Sequence, residues 1–346
     1  MKNFLKIKLQ LLRIYFIIWI HKFKTLNYLY RFVFRLINIR TKNIHSELKK
    51  INFFNLELLQ KPQSYYPNEY YRDNLYYGIS FHLKNYAGYN GYIKAYIEHG
   101  IFFGFFLPTD EKHIFSETVI CMGSRRQEQH KNIIQSKVIS IGPFIHYADG
   151  YLEKDEFNIL KNKLGRVLLL FPSHSIKNKS LENNVDLFID QCSSLFENYD
   201  TIMVCLYWSD IKKLASFFNN KKIKVASAGN LNDSNFLSRL KTIIKLSDYV
   251  VSDTVGTHVG YCVYLNKVVW LIQNNKKLSN LVEPYKRFQS SDYYDIAVEE
   301  LSNIKKIFEK PQSYITEEQK NIINDFWGLN NIKSAKELNK ILSGKT

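Results

Sequence analysis

The sequence has 346 residues, of which 45% are hydrophobic and 15% aromatic, and its formal net charge is +16. This length allows two domains of ordinary size, and the apolar content excludes an intrinsically disordered chain. The four cysteines are widely spaced, form no Cys-x-x-Cys motif and lie in apolar contexts. They indicate buried free thiols in a reducing compartment.

The positive charge is concentrated at the amino terminus. Residues 1–50 contain eight lysines and four arginines against the single acid Glu47, so their net charge is 12 − 1 = +11. The rest of the chain therefore has only 16 − 11 = +5. A nucleic-acid-binding protein more often spreads basic residues over its folded surface, so this distribution argues against a nucleic-acid partner.

Residues 1–50 have the pattern of a basic amphipathic helix. The longest uninterrupted apolar run, residues 14–20, is far shorter than the roughly 18–20 residues that cross a bilayer, and no small-residue cleavage site follows it. The segment is therefore predicted to lie on an anionic membrane surface, and the alternative is a helix that packs on the protein's own core. The basic residues that share one helical face are Lys2, Lys6, Arg13, Lys24, Arg31, Arg35 and Lys42.

From about residue 74, short apolar segments alternate with glycine-containing turns. Residues 75–81, 118–122 and 138–141 are predicted to be strands, and residues 83–88 a turn. The Gly-Ser-Arg-Arg sequence at residues 123–126 is interpreted as a solvated basic turn rather than a phosphate site.

Glu98 and His99 follow the apolar segment 92–97 and precede Gly100. A carboxylate at the end of a buried segment can face a crevice, where apolar neighbours would raise its pKa toward the range of a general base. Glu98 and His99 are therefore the candidate catalytic residues. The alternative is a solvated glutamate beside a structural histidine in an ordinary turn.

Strand and helix patterns alternate through the second half of the chain. The segment 166–171, which is apolar after its first residue, is typical of a buried parallel strand. This alternation predicts a doubly wound parallel sheet. Further strands are predicted at residues 201–206, 223–226, 249–251 and 268–272, and helices at residues 185–196, 211–218, 235–245 and 259–265.

Two polar loops follow strands of this predicted sheet, one at residues 173–175 and one at residues 252–258. The carboxyl ends of parallel strands share one edge, and the helix after the second loop directs its free N–H groups there, which suits an anionic ligand. Gly256 and Gly260 would let the backbone approach that ligand closely. In the alternative, Thr257 merely caps a helix. The candidate nucleotide-binding residues are Ser173, His174, Ser175, Asp253, Thr254, Gly256, Thr257 and His258.

These patterns divide the chain into four segments. They are an amphipathic membrane-associating helix at 1–50, a Rossmann-like domain at 51–160, a second Rossmann-like domain at 161–315 and C-terminal helices at 316–346. The expected fold is α/β, with two Rossmann-like domains that face each other across a cleft.

The Glu-His-Gly, Ser-His-Ser and Ser-Asp-Thr-x-x-Gly-Thr-His motifs resemble those of GT-B-type glycosyltransferases of bacterial capsule and lipopolysaccharide assembly, over roughly residues 75–330. Bacterial sialyl- and polysialyltransferases of that group pair an acidic motif in the first domain with a His motif and a Ser/Thr motif in the second. The resemblance implies that residues 51–160 form the acceptor domain and residues 161–315 the nucleotide-sugar-binding domain. It also implies that Glu98 is the general base and that His174 and residues 254–258 hold the sugar nucleotide.

The sequence departs from the sialyltransferase pattern in two places. Its acidic motif has His99 where those enzymes usually have a second acid before the glycine, and Ser175 follows His174 where they have proline. The resemblance therefore does not specify the donor. The chain contains no Asp-x-Asp, and the GT-B group that it resembles needs no bound metal for transfer.

The sequence thus predicts a glycosyltransferase that moves a sugar from a nucleotide-sugar donor to a lipid-linked or polysaccharide acceptor hydroxyl in bacterial surface-glycan synthesis. No metal, cofactor or nucleic acid is expected as a partner. The expected location is cytoplasmic and peripheral, at the inner face of the cell membrane through residues 1–50. Two alternatives stay open: a nucleotide-sugar epimerase of the same double-Rossmann shape, and a membrane-associated binding protein without activity.

Overall fold

The structure is a computed structural model. The predicted amphipathic segment 1–50 lies outside the described residues except at four isolated positions. The residues that the structure describes are 23, 26, 29, 33, 51–61, 69, 71–105, 116–131, 134, 136–173, 182–272 and 291–345.

The first unit is built on a three-stranded parallel sheet in the order β1-β2-β3. Alternate residues of the central strand pack into different hydrophobic clusters, Ile120 into one and Val119 into another, because successive side chains point to opposite faces. The elements of this unit are β1 (Tyr96–Ile97), β2 (Thr118–Cys121), β3 (Lys137–Ser140), α2 (Ile79–Ala87) and α3 (Ser124–Lys131). Helix α1 (Leu56–Leu59) precedes them in the chain but packs on the second unit.

The second unit is built on a five-stranded parallel sheet in the order β6-β5-β4-β7-β8. All five residues of the central β4 are buried, as its continuous apolar run predicts. The chain leaves β4 on one side for β5 and later returns on the other side as β7, so the topological switch point lies between β4 and β7. The strands are β4 (Val167–Phe171), β5 (Thr201–Cys205), β6 (Lys224–Ala226), β7 (Tyr249–Ser252) and β8 (Val268–Leu271).

Helices connect these strands and cover the sheet. The connecting helices are α4 (Lys154–Leu164), α5 (Glu182–Cys192), α6 (Ile211–Asn220), α7 (Phe236–Leu246) and α8 (Thr257–Tyr264). Three more follow: α9 (Ser291–Phe308), α10 (Glu317–Trp327) and α11 (Ala335–Ser343). Thr316 and Gln319 form a capping box at the start of α10.

Segments at both ends of the described chain cross between the units. The Asn339 side chain on α11 donates a hydrogen bond to the Ala87 carbonyl at the end of α2, at 2.9 Å. Residues 51–61 instead pack on the second unit, where Ser227 N–H donates to the Phe53 carbonyl at 2.9 Å. The predicted α/β class with two Rossmann-like units is confirmed, whereas the boundaries at residues 160 and 315 stay predictions.

The predicted strand at residues 75–81 and turn at residues 83–88 are wrong. A 3-10 turn, Asp73–Gly78, leads there directly into α2. Ile79, Leu83 and Ala87 are all buried, and their spacing of four residues places them on one helical face. The aromatic residues at 76 and 77 gave the segment the composition of a strand.

The predicted solvated turn at residues 123–126 is also wrong, because Ser124 begins α3 and Arg126 is only 3% exposed. Among the described residues, no helix is long and apolar enough to span a bilayer.

Candidate active site

A cavity of about 350 Å³ lies between the two units. It is reached by the loop after β1 from one side and by the loops after β4, β5 and β7 from the other. Its volume is within the usual range of small-molecule sites, roughly 300–1,000 Å³. The first unit contributes residues 77, 79 and 99–102 to its lining, and the second contributes residues 171, 172, 205–207, 228, 236, 237, 240, 254–258 and 261.

Thr257 joins the two walls of this cavity. Its hydroxyl oxygen accepts a hydrogen bond from the Ile101 N–H at 3.1 Å. A Cβ on Gly100 would lie 3.1 Å from the same oxygen, so the close approach of the walls suits a glycine. The loop that contains His99 and the loop that contains His258 therefore meet at one cavity, although 159 positions separate them in sequence.

Helix α8 begins at this junction. Its N-cap is Gly256, which has no side chain to satisfy the first-turn N–H groups, and Thr257 is the first helical residue. The alternative in which Thr257 is the cap is thus wrong by one position. The prediction that Gly260 lets the backbone approach a ligand is also wrong. A Cβ there would lie 2.3 Å from the Trp327 indole, so this glycine makes room for the packing of Trp327.

Asp253 ties together the two loops that flank the topological switch point. Ser173 N–H donates to Asp253 Oδ1 at 2.6 Å, and Ser173 Oγ donates to Asp253 Oδ2 at 2.9 Å. The carboxylate is therefore an anchor for the start of the Ser-His-Ser loop. The other two predicted residues of that loop, His174 and Ser175, lie outside the described residues.

His258 lines the cavity in a fixed orientation. Its ring stacks on Phe171, with centroids 4.5 Å apart and planes inclined by 29°. Its Nε2 lies 2.9 Å from the Ser252 hydroxyl oxygen. Thr254 lies in the same loop and also lines the cavity. The second wall thus presents a held imidazole and two threonine hydroxyls.

Glu98 does not fit the prediction of a desolvated general base. It is 1% exposed, and its carboxylate accepts hydrogen bonds from Arg126 Nη2 at 2.6 Å and Nε at 2.8 Å, while His130 Nε2 lies 2.8 Å away. Burial alone would raise the pKa of Glu98, but Arg126 and His130 hold it below its ordinary value. The prediction of a raised pKa for Glu98 is therefore wrong. Glu98 is also absent from the described residues that line the cavity.

His99, by contrast, lines the cavity, and 28% of its side chain is exposed. Its Nδ1 is buried and lies 3.7 Å from Asp73 Oδ2, which also accepts a hydrogen bond from the Tyr96 hydroxyl at 2.9 Å. The ring packs edge-to-face against Tyr76, with centroids 5.2 Å apart. At 3.7 Å the Asp73 carboxylate is too far away to accept a hydrogen bond from Nδ1, which has no hydrogen-bond partner among the described residues.

Two charged residues of this region have no role in the prediction from sequence. Arg126 Nη1 also donates to the Gly104 carbonyl at 3.2 Å, so one guanidinium holds both ends of the loop 98–104. Glu300 on α9 accepts from Gly104 N–H at 2.7 Å and from Arg125 and Gln129 on α3. The Arg-Arg pair at the start of α3 was the available signal for Arg126, but its partner lies 28 positions away.

Tyr77 is a further cavity residue that the sequence did not reveal. Its φ of 59° is in the left-handed region, and its N–H donates to the Leu231 carbonyl of the second unit at 2.7 Å. Burial and the neighbouring Tyr207 raise the pKa of its phenol. A left-handed non-glycine residue at a ligand cavity is a common sign of a functional constraint.

No protein-family model matches the sequence, and no curated protein matches it. Distant overall likeness is found to solved structures at 12% identity. The wall teichoic acid polymerase TagF has a TM-score of 0.39, over 66% of this chain and 57% of that one. UDP-GlcNAc 2-epimerase from Neisseria meningitidis, bound to UDP-GlcNAc, has a TM-score of 0.34, over 68% and 63%. The pneumococcal O-GlcNAc transferase GtfA, in complex with UDP and GlcNAc, has a TM-score of 0.31, over 76% and 50%.

The chain thus spans less than two thirds of the length of each of these structures. Likeness at this distance does not assign a function, which must be argued from the site itself. Among the residues that the structure describes, no three His, Cys, Asp or Glu side chains are grouped so that they could hold a metal ion.

Proposed function

We propose that this protein is a GT-B-type glycosyltransferase that moves a sugar from a nucleotide-sugar donor to a hydroxyl of a lipid-linked or polysaccharide acceptor in bacterial surface-glycan synthesis. The observation that carries the proposal is the cavity, where two parallel sheets from separate units direct strand-end loops into one hollow. A reaction of two substrates needs such a hollow, because both must be held together while water is excluded.

The donor would bind to the second unit. Its phosphates would lie at the amino end of α8, where backbone N–H groups and the positive end of the helix dipole favour an anion. The hydroxyls of Thr254 and Thr257 and the imidazole of His258 would donate hydrogen bonds to phosphate oxygens. Ser173, His174 and Ser175 would close the other side of this site, with Asp253 as the anchor of Ser173.

The acceptor would bind against the first unit, and we assign the general base to His99 rather than to Glu98. The acceptor hydroxyl gives its proton to His99 Nε2 while the hydroxyl oxygen attacks the anomeric carbon of the donor. The bond between that carbon and the nucleotide phosphate breaks, and the phosphate leaves with its charge stabilised at α8. In this proposal no metal ion takes part, and Glu98 acts through Arg126 to position the loop that contains His99.

The four residues described within 1–50 support the proposal that this segment binds a membrane. Phe23, Leu26, Leu29 and Val33 are spaced by three, three and four residues, which places them on one helical face. All four are exposed, by 39% to 57%. Apolar side chains exposed in this way suit the surface of an anionic bilayer at the cytoplasmic face of the cell membrane.

The first test is a thermal-shift screen of the full chain against UDP-, GDP-, CMP- and dTDP-linked sugars. A donor at 100 times its Kd adds about 2.7 kcal/mol to the free energy of unfolding, which is readily measured. The donor that shifts the melting temperature is then incubated with and without glycan acceptors. Transfer to an acceptor supports the proposal, whereas an epimer formed from donor alone, or binding without any product, would contradict it.

A further inference from the structure

A second basic region lies in the folded part of the chain, on and after helix α6. Within residues 207–226 there are five lysines and one acid, Asp210, so this stretch has a net charge of 5 − 1 = +4. All of residues 51–346 together have only +5. We call this region the α6 lysine face, and its members are Lys212, Lys213, Lys221, Lys222 and Lys224.

The five lysines are exposed, while α6 buries its other side. Ile211, Leu214 and Phe218 pack into the core of the second unit. Lys221 and Lys224 are held by contacts: Lys221 Nζ lies 3.4 Å from Asp186, and Lys224 Nζ lies over the Phe54 ring. The side chains of Lys212, Lys213 and Lys222 make no hydrogen bond or ion pair with any described residue. These three charges contribute no contact to the fold.

The position of Lys212 and Lys213 makes them costly for the fold. They are the second and third residues of α6, at the end of a helix where the dipole favours acidic residues over basic ones. Residues that break a local rule without a compensating contact are expected to serve binding. The charge pattern of α6 therefore indicates an anionic partner outside the chain.

The location of this face indicates what the partner is. Residues 51–61, which follow the +11 segment, wrap the outer edge of β6 beside α6: Phe53 bonds to Ser227, and Leu59 packs in the cluster that contains Phe218. The amino end of α6 follows Tyr207, which lines the cavity. Residues 51–61, the amino end of α6 and one rim of the cavity thus lie on the same side of the second unit.

We propose that the α6 lysine face binds an anionic phospholipid bilayer and that it holds the second unit against the membrane. Flexible, exposed lysine charges suit a flat anionic surface, whereas nucleic-acid sites favour arginine forks and stacked aromatic residues. Combined with the proposed function, this orientation brings the cavity rim to the bilayer, where a lipid-linked acceptor would be found. The lipid contact itself does not depend on catalysis.

The test uses flotation of the full chain with vesicles of phosphatidylcholine alone or with 30% phosphatidylglycerol, as a chosen composition on the order of natural anionic content. The variant is Lys212→Glu/Lys213→Glu/Lys222→Glu. The matched control, with the same change in charge, is Lys154→Glu/Lys163→Glu/Lys336→Glu, at exposed positions on α4 and α11. Each lysine near an anionic surface contributes about fivefold to binding, so the variant should lose at least tenfold in vesicle affinity.

The control should keep its affinity to within about threefold, because its lysines lie elsewhere on the surface. Equal losses in variant and control, or no loss in either, would overturn the proposal. So would tighter binding of single-stranded RNA than of anionic vesicles by the parent protein at the same salt concentration. The thermal shifts caused by nucleotide sugars should be the same in variant and parent. These shifts test the proposed donor site, whereas flotation tests the lipid contact, so each proposal can fail without the other.

Discussion

The polar residues that follow β1 and β7 occupy equivalent positions at the carboxyl ends of parallel strands, but they are used differently. After β1, the Glu98 carboxylate turns into the protein and is bound by Arg126 and His130. After β7, Thr254, Thr257 and His258 stay at the surface of the cavity. A strand end predicts where polar chemistry can lie, and the available partners decide whether a residue serves structure or ligand.

The largest expected effect comes from breaking the buried ion pair of the first wall. Arg126→Met removes the guanidinium that pairs with Glu98 in a site almost closed to water and leaves it with the His130 contact, so the free energy of unfolding should fall by about 3–5 kcal/mol. Arg125→Met is the control, because Arg125 is 46% exposed and Glu300 keeps other donors. It should cost less than about 1 kcal/mol in the same urea titration.

The next effect is a loss of stability on acidification at the contact between the units. His82 on α2 is 4% exposed and lies 3.4 Å from Ser238 on α7. Burial lowers the pKa of His82 from 6.5 to about 4, although Asp149 and Asp233 raise it slightly. The unfolded chain therefore binds the proton more readily, so the stabilisation from neutral His82 is complete above pH 6.5 and is lost progressively as the pH falls from 6.5 to 4.

Between pH 7 and pH 5 the loss from His82 alone should be about 2 kcal/mol. Urea titrations of the parent and of His82→Gln at the two pH values measure it, since the variant has no imidazole to protonate. The free energy of unfolding of His82→Gln should fall by about 2 kcal/mol less than that of the parent between the two pH values. An equal change in both proteins would place the pH dependence elsewhere.

A smaller effect is expected from the hydrogen bond that joins the two walls. Thr257→Val keeps the shape of the side chain but removes the acceptor of the Ile101 N–H, so the loss should be about 1 kcal/mol. Thr257→Ser keeps the hydroxyl and should retain most of that stability. If the two variants unfold at the same urea concentration, the hydroxyl does not hold the walls together.

The sequence was most informative where a single physical cause determines the structure. The continuous apolar run at residues 167–171 predicted β4 because a strand buried on both faces needs apolar side chains throughout. The prediction of a strand at residues 75–81 was wrong because the aromatic residues at 76 and 77 favour a strand, while the helical spacing of Ile79, Leu83 and Ala87 was the stronger signal.

The site was predictable in position but not in detail. Polar loops after strands 166–171 and 249–251 indicated the cavity, because parallel strands share one carboxyl edge. The role of Glu98 was not predictable, since Arg126 reaches it only through the packing of α3 beside β1. The same holds for Glu300, whose partners on α3 lie 171 and 175 positions earlier in the chain.

The most direct test compares Glu98→Gln and His99→Gln in one experiment, with melting temperature, donor binding and transfer rate measured for each. The account predicts that His99→Gln folds and binds donor normally but transfers sugar at least roughly 100-fold more slowly, as for other general bases. Glu98→Gln should instead melt at a clearly lower temperature, because Arg126 loses its buried counter-charge. A stable, donor-binding Glu98→Gln with no transfer, beside a fully active His99→Gln, would contradict the account.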